Sequence, residues 1–228
     1  MAARPCRFDS GLGHQRLRAI VNAPSTSPEP VPATAELLRL EALTIGRGLR
    51  VLQRDLALSL SPGEVVHLAG PNGCGKTTLL ETIAGLHLAE SGSVQAPDTA
   101  DSLWIGHRHG FAPELDGRRN LALWCRLQEG EAGRIDDALD YWRIRRAARR
   151  AVGVLSAGQQ QRLALATLRL KTGVRLWLLD EPLAALDRQA VPLLAEEIGR
   201  FTAGGGAVLM TTHQSLPGVT AREYELSA

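Results

Sequence analysis

The chain has two lysines, Lys76 and Lys171, among 26 basic residues. Lys76 closes the run Gly70-Pro71-Asn72-Gly73-Cys74-Gly75-Lys76-Thr77, followed by Thr78. The run fits G-x-x-x-x-G-K-[ST], with an apolar stretch before it and a helical pattern after it. Glycines let successive backbone N–H groups turn inward around a phosphate without Cβ clashes. A helix that starts at the lysine adds the partial positive charge of its N-terminus. In such a loop the lysine ammonium reaches the outer phosphates of a nucleoside triphosphate, and the threonine hydroxyl ligates Mg2+. Cys74 stands at a variable position of the loop and reads as a small filler residue.

Two acids follow the apolar run Leu176-Trp177-Leu178-Leu179, namely Asp180 and Glu181. Many strand ends carry acids, so the pair alone says little. About one hundred residues downstream of a phosphate loop it gains meaning: Asp180 would hold Mg2+, directly or through water, and Glu181 would polarise an attacking water. Alternation along a strand predicts that the two carboxylates point different ways. Between loop and acids lies Leu155-Ser156-Ala157-Gly158-Gln159-Gln160-Gln161-Arg162. Ser156 and Gln159 form a capping-box pattern, which predicts a helix start. An ordinary capped helix would look the same; its place between the other two motifs argues for more. Ala185-Leu186-Asp187 and Thr211-Thr212-His213 complete a series of five.

In this order the motifs resemble those of the ABC ATPases, with Ala157 at the first glycine of their LSGGQ signature. The resemblance implies an α/β P-loop NTPase with a mostly parallel core sheet, an antiparallel β lobe and a small helical lobe at about 107–165. It also implies a shared site: Ser156, Gly158 and Gln159 would meet the γ-phosphate bound by a second, identical subunit, and Asp187 would shape the interface. His213 would contact the γ-phosphate and orient the water, with Glu181 and Lys76 as its catalytic companions. Two departures stand out. The glutamine usual before the helical lobe is missing, and His107 falls at or near its place. The adenine-stacking aromatic is also missing; Arg47 lies about there, as a stacking guanidinium or as a solvated turn residue.

These groups need strands that alternate with helices. LLRLEALTI and VLQRDLALSL alternate like strands, and VVHLAG runs into the loop. Helices are expected over 77–86, 157–171 and 188–201, with strands SLWIG, 175–179 and 207–211 between them. Residues 117–152 read as mostly helical. The stretch APSTSPEPVPATA is a linker by composition, so 1–34 reads as an N-terminal extension, either disordered or an artefact of a misplaced start codon, and 35–228 as the ATP-binding domain.

Composition narrows the function further. With 228 residues and 44% hydrophobic content the chain can bury a core without staples. Cys6, Cys74 and Cys125 are too scattered for a disulfide framework or zinc site. No apolar run reaches the ~18–20 residues of a membrane span, so work at a membrane requires another chain. The formal net charge of +2 leaves nucleic acid undecided, but the insertions of DNA- or ribosome-acting ABC proteins are absent and no nucleic-acid partner is expected. The stretch from Leu103 to His107, the LSAGQQ-R variant and the TTHQ ending resemble the CcmA family, the ATP-binding subunits of cytochrome c maturation or haem export. That implies ATP and Mg2+ as ligands, a CcmB-type membrane subunit with CcmC- and CcmD-like proteins nearby, and a peripheral place on the cytoplasmic face of a bacterial inner membrane. Haem enters indirectly, exported or released from a chaperone; His107 and His109 read as neighbours of the nucleotide site rather than haem ligands. Another small ABC transporter and a non-catalytic ATP-gated switch remain as alternatives.

Overall fold

The computed structural model describes residues 36–227. The extension expected over 1–34 lies outside the described residues. The described chain forms two sheets. The first is antiparallel, in the order β2-β1-β4, from β1 (Leu38–Arg47), β2 (Arg50–Leu60) and β4 (Ser91–Gln95). The second runs β5-β6-β7-β3-β8, with every pairing parallel. Its strands are β3 (Val65–Ala69), β5 (Ser102–Ile105), β6 (Leu176–Asp180), β7 (Ala207–Thr211) and β8 (Arg222–Glu225). Five helices complete the fold: α1 (Lys76–Ile83), α2 (Gly117–Leu127), α3 (Ile135–Tyr141), α4 (Ala157–Ala166) and α5 (Val191–Ala203).

The parallel sheet divides two cores, and strand alternation decides which residue enters which. On β6, Trp177 and Leu179 face the core built with α2 to α5, while Leu176 and Leu178 face the core shared with α1 and the antiparallel sheet. On β7, Val208 and Met210 take the first side, Ala207 and Leu209 the second. Burial on both faces is why these strands read as continuous apolar runs. Trp177 stacks flat on Phe201 of α5, ring centres 3.8 Å apart and planes 2° apart. Nearby, buried Glu197 accepts hydrogen bonds from Arg169 and Arg200, and Arg169 lies 4.0 Å over the Tyr141 ring. Burial and the carboxylates of Glu197 and Glu196 push the Tyr141 phenol up to about 12.

Where helices differ from the sequence expectation, local hydrogen bonds explain it. Helix α1 stops at Ile83, short of Leu86, because Gly85 turns left-handed (φ 73°). There Leu86 N–H donates to Glu81 O (2.8 Å) and Gly85 N–H to Thr82 O (3.1 Å), the paired bonds of a Schellman end. The helix expected to reach 171 is α4 only to Ala166, tightening into a 3-10 turn at Thr167–Arg169, where Thr167 Oγ1 donates to Ala164 O (2.6 Å). Helix α5 begins at Val191 rather than 188. Asp187 Oδ1 takes up the N–H groups of Gln189 (3.0 Å) and Ala190 (3.1 Å), holding residues 187–190 as a turn. Strands β4 and β8 have no counterpart in the sequence reading.

Candidate nucleotide site

Strand β3 delivers the chain into the loop 70–75 and α1 carries it away. Gly70 has φ 134°, and a Cβ there would lie 2.6 Å from Leu226 O; only glycine fits. Gly75 (φ 110°) takes the N-cap place of α1 and offers no side chain to the helix N–H groups, which leaves them available to an anion. Lys76 Nζ donates to Gly70 O (2.7 Å) and Pro71 O (3.0 Å), so the ammonium lies across the loop. Cys74 is buried, and its carbonyl accepts from Gln53 Nε2 (2.9 Å), which also donates to Ser227 O (2.7 Å). Gln53 thereby ties β2 to the loop and to the C-terminal segment.

The acids meet the loop at the end of β6. Asp180 is 4% exposed. Its Oδ2 accepts from Thr77 Oγ1 (2.9 Å) and its Oδ1 from Thr211 Oγ1 (2.8 Å). The Thr211 hydroxyl also accepts from Glu181 N–H (2.8 Å). One threonine at the end of β7 thus fixes both members of the acid pair. Strand β6 ends at Asp180, so strand alternation does not extend to Glu181, which sits in the left-handed region at φ 52°; both residues line one cavity. Glu181 Oε1 lies 3.3 Å from His213 Nε2. Thr212 Oγ1 steadies the histidine's loop by donating to Gln214 O and accepting from Gln214 N–H, both at 3.0 Å.

A cavity of about 590 Å³ opens between these groups. Asn72, Gly73, Gly75, Lys76, Thr77, Thr78, Asp180, Glu181, His213, His107 and Arg47 all line it. Gly70, Pro71 and Cys74 shape the loop from behind. Thr77 Oγ1 and Asp180 Oδ2 are hard oxygen donors side by side, a set that fits Mg2+. Arg47 is exposed, 3.9 Å from Glu81. The structure adds Arg50 and Leu52, which the sequence reading missed; Arg50 pairs in register with Arg47 across the β1–β2 hairpin. His107 also borders a smaller cavity with His109, whose imidazole is pushed down by burial and by His107. Buried Asn120 orders the segment leading to α2, bonding Ala112 N–H (2.8 Å) and the carbonyls of Ala112 (3.0 Å), Leu115 (3.2 Å) and Asp116 (3.1 Å).

Ser156, Gly158, Gln159 and Asp187 line a different cavity, of about 960 Å³. The capping box is complete: Ser156 Oγ accepts from Gln159 N–H (3.3 Å) and Ser156 N–H donates to Gln159 Oε1 (3.1 Å). A Cβ on Gly158 would come 2.6 Å from Ala185 O, so the α4 start packs directly on the backbone before Asp187. Arg162 of α4 hydrogen-bonds Asp187 and donates to Trp142 O (3.2 Å). That guanidinium holds the Asp187 carboxyl below the usual aspartate range, against a smaller effect of burial. A depressed carboxyl contributes stability above its unfolded pKa and loses it as pH falls through the folded value. Arg162→Ala should therefore move the Asp187 titration upward, read by carboxyl ¹³C NMR; an unmoved midpoint would detach the two residues.

Phosphate loop, acid pair and capped helix on one parallel sheet define an ATP-binding cassette, with its signature helix in a second cavity. Comparison with known proteins agrees. The ABC transporter family model matches residues 53–184. The chain is 43% identical to the "Cytochrome c biogenesis ATP-binding export protein CcmA" of Hyphomonas neptunium, over 80% of this chain and 93% of that one. It is 38% identical to the protein of the same name from Gluconobacter oxydans, over 90% and 94%. A cassette solved as a dimer in a post-hydrolysis state, bound to ADP and Pi, shares the fold at TM-score 0.68 and 24% identity, covering 78% of this chain and 88% of that one. The chain belongs to the ABC transporter family of ATP-hydrolysing subunits and, within it, to the CcmA group.

Proposed function

We propose that this chain hydrolyses ATP as half of a dimer and drives a membrane partner in cytochrome c biogenesis. The observation that carries the reading is the joined end of β6 and β7, where Thr77, Asp180, Thr211, Glu181 and His213 meet beside Lys76. In this reading Lys76 and the N–H groups of the loop and of α1 bind the phosphates, and Thr77 with Asp180 holds Mg2+. The metal, when bound, neutralises charge on the phosphate oxygens. Glu181 accepts a proton from the attacking water, with His213 orienting both. The water oxygen bonds to the γ-phosphorus as the bond to the ADP oxygen breaks, giving ADP and inorganic phosphate.

Ser156, Gly158 and Gln159 close on the γ-phosphate held by a second copy, with Asp187 at the interface. The separation of these residues from the phosphate loop into different cavities supports that division. Arg47 flanks the adenine, and His107 stands between nucleotide and partner. Residues 35–228 act as the ATP-binding domain, with 107–165 as the helical lobe and 1–34 as an extension.

The partner is a CcmB-type membrane subunit, with CcmC- and CcmD-like proteins beside it, and the work is haem export or release of a haem chaperone. The name of the relatives supports a part in cytochrome c biogenesis and export. Among the described residues no helix is long and apolar enough to cross a membrane, in keeping with a subunit peripheral on the cytoplasmic face. The test is copurification: Glu181→Gln, expressed in its native host with ATP present, should bring down a CcmB-type protein. Recovery of another permease would overturn the cytochrome c assignment and leave the ATPase chemistry intact.

A further inference from the structure

The cavity that holds Ser156, Gly158 and Gln159 has a second wall. Arg143, Arg146, Arg149 and Arg150 all line it, from the short stretch between α3 and α4. The local fold puts them there. Arg143 (φ 53°) reverses the chain after α3, and Ile144 and Ala148 plug into the helical-lobe core at 3% and 1% exposure. A 3-10 turn at Ala147–Arg149 completes the bend. Residues 143, 146, 149 and 150 are left exposed.

Their electrostatics are unbalanced. Arg145, on the same stretch but outside the cavity, pairs with Asp136 and Asp140. Among the described residues none of Arg143, Arg146, Arg149 and Arg150 forms an ion pair; the cavity's fifth arginine, Arg162, does. The lining carboxylate, Asp187, is already bound by Arg162. Converging guanidiniums with no counter-ion in a concave wall call for an anion with several acceptor oxygens. The neighbouring residues say which one. The wall is continuous with the capped start of α4, and the cavity is large enough for a nucleotide.

We infer that Arg146 and Arg149, flanked by Arg143 and Arg150, bind the phosphates of the ATP held in the phosphate loop of a second copy of this chain. They make a cationic clamp in trans beside Ser156. This rests on the shared-site reading above and extends it: the clamp supplies affinity from the opposite subunit.

The test uses full chains carrying Glu181→Gln, so that dimers persist, and light scattering against ATP concentration. Arg146→Ala with Arg149→Ala should raise the ATP needed for half-maximal dimer by roughly tenfold. Mixing then separates trans from cis. A chain with Lys76→Ala mixed with the arginine variant builds one complete composite site, from the loop of one and the clamp of the other; it should dimerise near the unmodified ATP concentration. In both mixtures the heterodimer alone is followed, by energy transfer between a donor label on one chain and an acceptor label on the other, so that homodimers are silent; a chain carrying both changes, mixed with an unmodified chain, should need the higher concentration. Equal behaviour of the two mixtures overturns the clamp. So does an unshifted midpoint accompanied by lost binding to phosphatidylserine vesicles, which would make the arginines a lipid-facing patch. Ser156→Arg run through the same mixtures is the control. If it separates the mixtures and the arginine pair does not, the clamp alone is wrong; if neither does, the shared site is wrong as well.

Discussion

Glu181→Gln is expected to lower the ATP turnover rate by about 10²–10⁴-fold, the usual contribution of a positioned general base. The amide keeps the size of the side chain and removes its proton-accepting capacity. The backbone should be unaffected, because Glu181 N–H is held by Thr211 Oγ1 whatever the side chain carries. ATP binding and ATP-dependent dimerisation should therefore survive, and multiple-turnover kinetics should separate from binding. Turnover within a few-fold of the unmodified protein would move the base elsewhere. The reading as an ATP-gated switch would return only if the unmodified protein itself failed to turn over.

The largest loss of stability is expected from Trp177→Ala. Trp177 is 1% exposed and stacked on Phe201, and the variant leaves a cavity between β6 and α5. Large aromatic truncations in cores cost about 3–5 kcal/mol. Denaturant unfolding should show that loss. Gly206 sits against the same ring: a Cβ there would fall 2.4 Å from Phe201, so the pocket is tightly fitted and collapses poorly. Phe201→Ala added to Trp177→Ala should cost less than it does alone, since its stacking partner is already gone. A loss under about 1 kcal/mol for Trp177→Ala would mean that the site repacks.

Much of this was legible because the chemistry is local in sequence. The phosphate loop, the acid pair and the Ser156 box are each a few consecutive residues whose spacing follows from backbone geometry. The central strands were legible because both of their faces are buried. Strands β4 and β8 were not, since SGSVQ and REYE are polar edge segments with little apolar pattern to betray them. Helix ends were missed where a side chain or a left-handed glycine overrides helical periodicity, as at Asp187 and Gly85. Arg50 and Leu52 were invisible because what brings them to the site is the approach of the β1–β2 hairpin to the phosphate loop, a contact between segments distant in sequence. Thr211 was seen as part of a motif, but its bond to both acids depends on β7 lying next to β6.

Glu181 itself sits at φ 52°, a region costing roughly 1–2 kcal/mol for a residue with a Cβ. Glycine would relax that backbone and erase the carboxylate. The preference of the folded chain and the demand for turnover therefore pull this position in opposite directions. Drift toward an inactive but sturdier protein is open at a single codon, and only selection for turnover keeps it closed.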